Sequence, residues 1–260
     1  MTYYRKFGMN TNHEITSKTI LITGTSRGIG NHLASVFLNM GYKVIGVSRS
    51  NTTINNPNFQ SIQIDISDLS QVSTLKNILG EREIIGLINN CGIHGPIGPM
   101  ENSPIDQWIQ TFNVNLFGHT LLSQMCIPSL RSNKGFIIFM SGGGSAFPRP
   151  NFSAYSVSKT GIVRLSETLA QELSPDILVY CVAPGPNRTS LLEEAIANGE
   201  TVPEADIVDF EYASRLCSFL SKNKDPRYSG KFIHVKDNYI EWDDHTMAGD
   251  GYTLRRVKPV

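Results

Sequence analysis

The chain has only four cysteines, Cys91, Cys126, Cys181 and Cys217, and no two of them share a CxxC spacing. Their separation excludes a disulfide scaffold and a cysteine-based zinc site, and it fits a reducing compartment. An excess of one charge is also missing: 23 Lys and Arg residues balance 23 Asp and Glu. That balance argues against a basic nucleic-acid binder and against a polybasic membrane-surface protein. No apolar run approaches the 18 or so residues that cross a bilayer. The opening MTYYRKFGMNTNHEITSK has no apolar leader core. The six histidines show no metal-ligand spacing, and there is no internal repeat or low-complexity linker. With 40% hydrophobic and 18% charged residues over 260 positions, the composition is too apolar for disorder. The expectation is a soluble, cytoplasmic globular protein.

What is present is an alternation. Thr19–Ile22, mostly β-branched and followed by a glycine turn, predicts a buried strand. Leu33, Val36, Phe37 and Met40 then recur at helical spacing until Gly41, and Lys43–Val47 predicts the next strand. Further strands are predicted at 61–64, 84–88, 135–140, 177–182 and 231–235. Helices are predicted at 69–79, 104–130, 156–173 and 212–221. Strands separated by helices imply right-handed crossovers and a doubly wound, mostly parallel α/β sheet of Rossmann type, with helices on both faces. One domain over 18–260 accounts for this, preceded by a polar extension at 1–17. Residues 190–212 interrupt the alternation and are expected to form a flap over a substrate.

The first strand runs into Gly24-Thr25-Ser26-Arg27-Gly28-Ile29-Gly30, and a helix follows. Glycine permits the tight turn and the close approach of a pyrophosphate, which the helix N-terminus then attracts. An acidic residue about 20 positions further on would select NAD by bonding the ribose 2′-hydroxyl. That place carries Ser48-Arg49 instead, and Arg27 lies in the loop itself. Two guanidinium groups suit a 2′-phosphate, so NADP is expected over NAD.

From here the sequence resembles the short-chain dehydrogenase/reductase family, of the single-domain type. Thr23-Gly24-x-x-x-Gly28-Ile29-Gly30 is similar to its glycine motif. Asp65-Ile66 resembles its adenine-contacting pair, and Asn89-Asn90-Cys91-Gly92 its Asn-Asn-Ala-Gly turn with cysteine for alanine. Asn115 matches its helix asparagine, and Tyr155-Ser156-Val157-Ser158-Lys159 its Tyr-x-x-x-Lys. Pro184-Gly185 with Thr189 matches the loop after the sixth strand. The resemblance implies hydride transfer between a nicotinamide and an alcohol or a ketone/aldehyde. In that scheme Tyr155 handles the proton, Lys159 binds the nicotinamide ribose, and Asn115 holds a relay water. A free tyrosine has a pKa near 10, and a cation one helical turn away favours its phenolate. The implied partners are a small-molecule substrate and a second copy of the chain, as homodimer or homotetramer. The stripe Ile162, Leu165, Leu169 and Leu173 is the candidate for core packing and contact between copies together.

Three features depart from the family pattern. Its serine position is Gly142, inside Ser141-Gly142-Gly143-Gly144-Ser145, so Ser141 is the first candidate to supply the hydroxyl and Ser145 the second. Asn187 replaces a small aliphatic residue whose backbone would meet the nicotinamide carboxamide. Val235-Lys236-Asp237-Asn238 replaces the frequent Asp-Gly-Gly near the end. The displaced serine leaves a second reading open, a non-catalytic NADP-binding regulatory or scaffold protein. His94 follows the Asn-Asn-Cys-Gly turn and is either a substrate contact or an ordinary loop histidine. Phe147, Phe152 and Trp108 are either pocket or core, and the tail Leu254-Arg255-Arg256-Val257 an anion contact, a subunit contact or a solvated end.

Overall fold

The computed structural model describes residues 18–80, 82–247 and 251–254. The 1–17 extension and tail residues 255–260 lie outside them. Seven strands form one parallel sheet: β1 (Thr19–Thr23), β2 (Lys43–Ser48), β3 (Phe59–Gln63), β4 (Ile84–Asn89), β5 (Phe136–Met140), β6 (Leu178–Ala183) and β7 (Phe232–His234). Their order across the sheet is β3-β2-β1-β4-β5-β6-β7, so the winding reverses between β1 and β4. Open α/β sheets bind ligands outside the carboxyl ends of the strands at such a switch point.

β1, β4, β5 and β6 read as continuous apolar runs because both sheet faces are covered there, whereas the edge strand β3 leaves most of its side chains exposed. Successive side chains point to opposite faces. Ile20 and Ile22 therefore enter one core with Leu33, Phe37, Leu216 and Leu220, from α1 (Gly28–Asn39) and α7 (Phe210–Lys222). Leu21, Ile45 and Val47 enter the other core with Val72, Leu122 and Ile162. Those three come from α2 (Leu69–Leu79), α4 (Gly118–Ser132) and α5 (Ser153–Glu172).

The predicted helix 104–130 is interrupted. It runs as α3 (Ile105–Phe112), a π-helical turn at Asn113–Phe117, and then α4. Gly118 is required at that junction: a Cβ there would run into the Ile66 carbonyl. α6 (Ser190–Ala197) starts at the cap Thr189, whose hydroxyl accepts from Leu192 N, and a loop leads on to α7. A short α8 (Asp244–Met247) follows β7. Among the described residues no helix is long and apolar enough to cross a membrane. The α5 stripe serves the core rather than an exposed face. Ile162 and Leu173 are buried, Leu165 and Leu169 pack against the same core, and the exposed apolar side chain of that helix is Val157.

Candidate active site

A cleft of about 1450 Å³ opens over the carboxyl ends of the strands. A single drug-sized ligand needs roughly 300–1,000 Å³, so this space suits a long ligand or two together. Gly24 and Gly28 take positive φ (+76° and +60°) where the chain leaves β1, a conformation that excludes most side chains. A Cβ on Gly24 would meet Asn90 Nδ2 at 2.8 Å, and one on Gly30 would run into the Gly24 carbonyl. Ser26 and Ile29 line the cleft beside them, while Thr25 turns its buried hydroxyl towards Gly46 on β2.

The end of β4 is tied to this loop. Thr23 Oγ1 accepts from Asn90 N (2.8 Å) and Cys91 N (3.0 Å), and Asn90 Nδ2 donates to Thr23 O (2.9 Å). Burial pushes the Cys91 thiol up to about 11, so it packs as a small uncharged group at neutral pH. Gly92 follows, with room for no more than a tight Cβ, 3.3 Å from Lys159 Nζ.

At the far side of the switch point stand Arg27 and Arg49, both exposed and both lining the cleft. Neither guanidinium has a hydrogen bond or ion pair among the described residues. The other described arginines behave differently: 82, 131, 149, 164, 188, 215 and 227 each engage a polar side chain. Ser48 turns its hydroxyl to Ser50 O (2.8 Å). Asp65 accepts from Ser67 N (2.9 Å) and Ser67 Oγ (2.7 Å), and Ile66 beside it is buried.

Tyr155 and Lys159 lie in the first two turns of α5, so the i,i+4 spacing puts both on one face. Lys159 Nζ donates to Met140 O (2.8 Å) and lies 6.0 Å from the Tyr155 ring centroid. Burial lowers its pKa to about 8 and raises that of the Tyr155 phenol; the Arg149 guanidinium opposes the second effect. Asn115 sits in the π-helical turn with its side chain fully committed. Its Nδ2 donates to Ile93 O and Ser158 Oγ (2.9 Å each), and its Oδ1 accepts from Ile93 N (2.9 Å).

The serine region differs from expectation. Ser141 Oγ donates to Lys159 O (3.1 Å) and stands 2.9 Å from Ser145 Oγ, so its hydroxyl braces α5 instead of turning towards Tyr155. Ser145 Oγ donates to Gly142 O (2.6 Å). Gly142 itself lies against Tyr155, and a Cβ there would press into the phenolic oxygen. Neither serine hydroxyl is available in this arrangement. The glycine is the shape its neighbour demands.

Above Tyr155 the loops supply charged groups that motif spacing did not reveal. His94 is 3% exposed, with its ring edge-on to Tyr155 (4.9 Å) and to Phe152 (5.1 Å). Its Nδ1 meets Glu194 Oε2 at 3.0 Å. Burial, with Arg149 and Lys159 nearby, pushes its pKa down to about 3, so it is neutral and its Nδ1–H donates to Glu194. Arg149 sits over Phe152 and is held by Glu200. Ser158, Arg149, Glu194 and Glu200 are the residues that motif reasoning missed. Pro148-Arg149-Pro150, a charge fixed between prolines just ahead of Tyr155, was the available signal. Phe147 lies at the mouth, 75% exposed, whereas Trp108 stacks on Phe112 outside the cleft.

Across the cleft Pro184, Gly185, Asn187 and Thr189 form the loop after β6, with the Thr189 methyl 3.3 Å from a Cβ placed on Gly28. Asn187 Nδ2 donates to Pro184 O (2.8 Å) and Gly185 O (2.9 Å), and its buried Oδ1 has no partner. Among the described residues no cluster of His, Cys, Asp or Glu is arranged to hold a metal.

Comparison with known proteins decides the family. The family model for short chain dehydrogenase matches residues 18–199. The chain belongs to the short-chain dehydrogenase family. An uncharacterised oxidoreductase of Schizosaccharomyces pombe is 30% identical over 250 residues, 86% of this chain and 98% of that protein. An 11-beta-hydroxysteroid dehydrogenase-like protein of Arabidopsis thaliana is 32% identical over 66% of this chain, and 59% of its own length is matched. Benzil reductase ((S)-benzoin forming) of Saccharomyces cerevisiae is 31% identical over 65% of this chain and 71% of that protein. The structure of a 3-ketoacyl-(acyl-carrier-protein) reductase from Brucella melitensis, complexed with NADH, superposes with a TM-score of 0.77 at 24% identity. It covers 85% of this chain and 98% of that one, and the likeness is one of fold. As a short-chain dehydrogenase, the protein is an oxidoreductase that interconverts CH–OH and C=O with a nicotinamide cofactor. Within that family its glycine at position 142 departs from the motif pattern.

Proposed function

We propose that the protein is an NADP-dependent carbonyl reductase or alcohol dehydrogenase in which Tyr155 is the proton donor and acceptor. The observation that carries this reading is the common cleft. Tyr155 and Lys159 open onto the same space as the glycine loop and two guanidinium groups that have no partner among the described residues. These residues fit a dinucleotide phosphate. Gly24 and Gly30 leave a backbone cradle that Cβ atoms would fill, Arg27 and Arg49 have free forks, and Asn187 keeps a buried, unpartnered acceptor. Gly24 to Gly30 would hold the pyrophosphate, Arg27 and Arg49 the 2′-phosphate, and Asp65 with Ile66 the adenine. Lys159, Asn90, Cys91 and Gly92 would flank the nicotinamide end, together with Pro184, Gly185, Asn187 and Thr189.

The bound nicotinamide supplies or takes the hydride. In the reducing direction Tyr155 Oη gives its proton to the carbonyl oxygen as negative charge develops there. The Lys159 ammonium stabilises the phenolate left behind. Asn115 keeps the β4 loop and Ser158 in register, and so fixes the floor under Lys159. The side-chain atoms of Asn115 are already bonded, so a relay water would take the second lone pair of its main-chain carbonyl, which also faces His119 Nδ1 at 3.2 Å. Residues 190–212 act as the flap, fastened to the site through Glu194 and Glu200.

The test is turnover of a carbonyl panel with NADPH. Tyr155→Phe is expected to cut kcat by about 100-fold to 10,000-fold while NADPH binding stays unchanged. Retained turnover contradicts the assignment. The second reading, a cofactor-binding protein without chemistry, draws on the occupied Ser141 hydroxyl. It predicts NADPH binding and no turnover on any carbonyl.

A further inference from the structure

With no hydroxyl at position 142, the surroundings of Tyr155 differ from those the motif supplies. Among the described residues, charged and titratable groups face it from several elements. Lys159 stands one turn along α5, and the neutral His94 reaches in from the loop after β4, with Glu194 of α6 behind it. From the loop between β5 and α5, Arg149 places its guanidinium carbon 5.2 Å from the Tyr155 ring centroid. Glu200, just past α6, grips that guanidinium with both carboxylate oxygens; the Nε–Oε1 distance is 2.9 Å.

We infer that Arg149 is a positioning residue for the proton step, a second cation that stabilises the Tyr155 phenolate, and that Glu200 on the flap sets its strength. The inference rests on Tyr155 being the proton donor and acceptor. Three observations carry it. The guanidinium is fixed, seated 3.8 Å over the Phe152 ring and chelated by one carboxylate, so its distance to Tyr155 is maintained. The pair is sheltered, with side-chain exposures of 21% and 25%, so solvent screens it only in part. The charge is also permanent: arginine does not titrate, whereas the buried Lys159 loses its proton near pH 8. Above that pH Arg149 is, among the described residues, the one cation that still faces the phenol. Glu200 cancels part of its field, so movement of the flap away from Arg149 strengthens the effect on Tyr155.

A fastening role for the pair and an electrostatic role predict different signs. Arg149→Met, Arg149→Lys and Glu200→Gln are made in the full-length chain, with thermal melting to confirm folding. The ionisation of Tyr155 is followed by near-ultraviolet phenolate absorbance during alkaline titration, as the step that Tyr155→Phe lacks. The pH profile of kcat/KM is recorded beside it. Glu200→Gln is expected to move the Tyr155 step down by about one pH unit and Arg149→Met to move it up by about one. Arg149→Lys, which keeps the charge, should restore most of the difference. Shifts in the same direction, or no shift in either variant, overturn the inference and leave the pair as a flap fastener. An unmoved step with a raised KM in Arg149→Met also overturns it, in favour of direct substrate contact. Opposite shifts in a protein that turns over no carbonyl uphold the electrostatic role and remove the proposed reaction instead.

Discussion

Gly142 and Tyr155 show how one missing Cβ shapes the site. A serine built at 142 would press its Cβ into the phenolic oxygen, and Tyr155, itself buried beneath His94 and Arg149, has little room to retreat. Gly142→Ser is therefore expected to lower kcat by about tenfold or more, since small misplacements at a reacting centre cost that and beyond. Steady-state kinetics decides, and a gain in kcat would show that the tyrosine yields. Arg49 carries the opposite kind of prediction, a loss confined to one ligand. A charge-assisted hydrogen bond contributes roughly 1.5–3 kcal/mol, so Arg49→Ala should weaken NADPH binding by tenfold or more and leave NADH alone. Equal weakening of both would remove Arg49 from a phosphate role. At this scale the sequence was legible wherever a residue's chemistry follows from its own motif, as at Gly24, Tyr155 and Lys159. It was not legible where the partner lies far along the chain. Nothing near Ser141 announces that its hydroxyl belongs to Lys159 O, and nothing near Arg149 announces Glu200.

Elements follow from pattern as long as one periodicity rules them. Apolar runs gave the strands to within a residue at either end except at β3, which starts two residues earlier, at Phe59, where Phe59 packs over Gly46 of the neighbouring strand. The helix predicted across 104–130 hides a π-helical turn at Asn113–Phe117, a single turn inside an otherwise unbroken helical run. π-bulges are frequent at functional sites, and this one presents Asn115 to the loop after β4. The glycine loop makes a demand on element packing as well. Gly30→Ala would set a methyl 2.5 Å from Asn90 Nδ2 and still nearer the Gly24 carbonyl. Overpacking of that kind costs about 1–3 kcal/mol, so the variant should melt at lower temperature and bind NADPH weakly. A variant with wild-type melting and affinity would mean that β1 and α1 can separate without cost.

For the whole molecule, the fold opposes the charge of two buried histidines, His94 in the cleft and His119 on α4. His119 lies between Thr23 and the Asn115 carbonyl, and burial pushes its pKa down to about 3. Its unfolded value is near 6.5, so the unfolded chain binds the proton first. The stability tied to this group is complete above pH 6.5 and is lost as the pH falls towards 3. Between pH 7 and pH 5, His119 alone should contribute about 2 kcal/mol to the difference in urea unfolding, beside the share of His94, and His119→Gln should lack that part. An unchanged pH dependence in the variant would mean that His119 is already charged in the fold. Assembly is a separate matter. We expect a homo-oligomer, with Val157 and Phe117 as the exposed apolar side chains beside α5, and a monomer by light scattering would contradict it. In the proposed reaction one cleft serves both a dinucleotide phosphate and Tyr155. The most direct measurement is calorimetric titration of the purified protein with NADPH and, separately, with NADH. Tight binding of NADPH with a preference that Arg49→Ala abolishes is the predicted result; equal affinity for the two, or binding of neither, would contradict it.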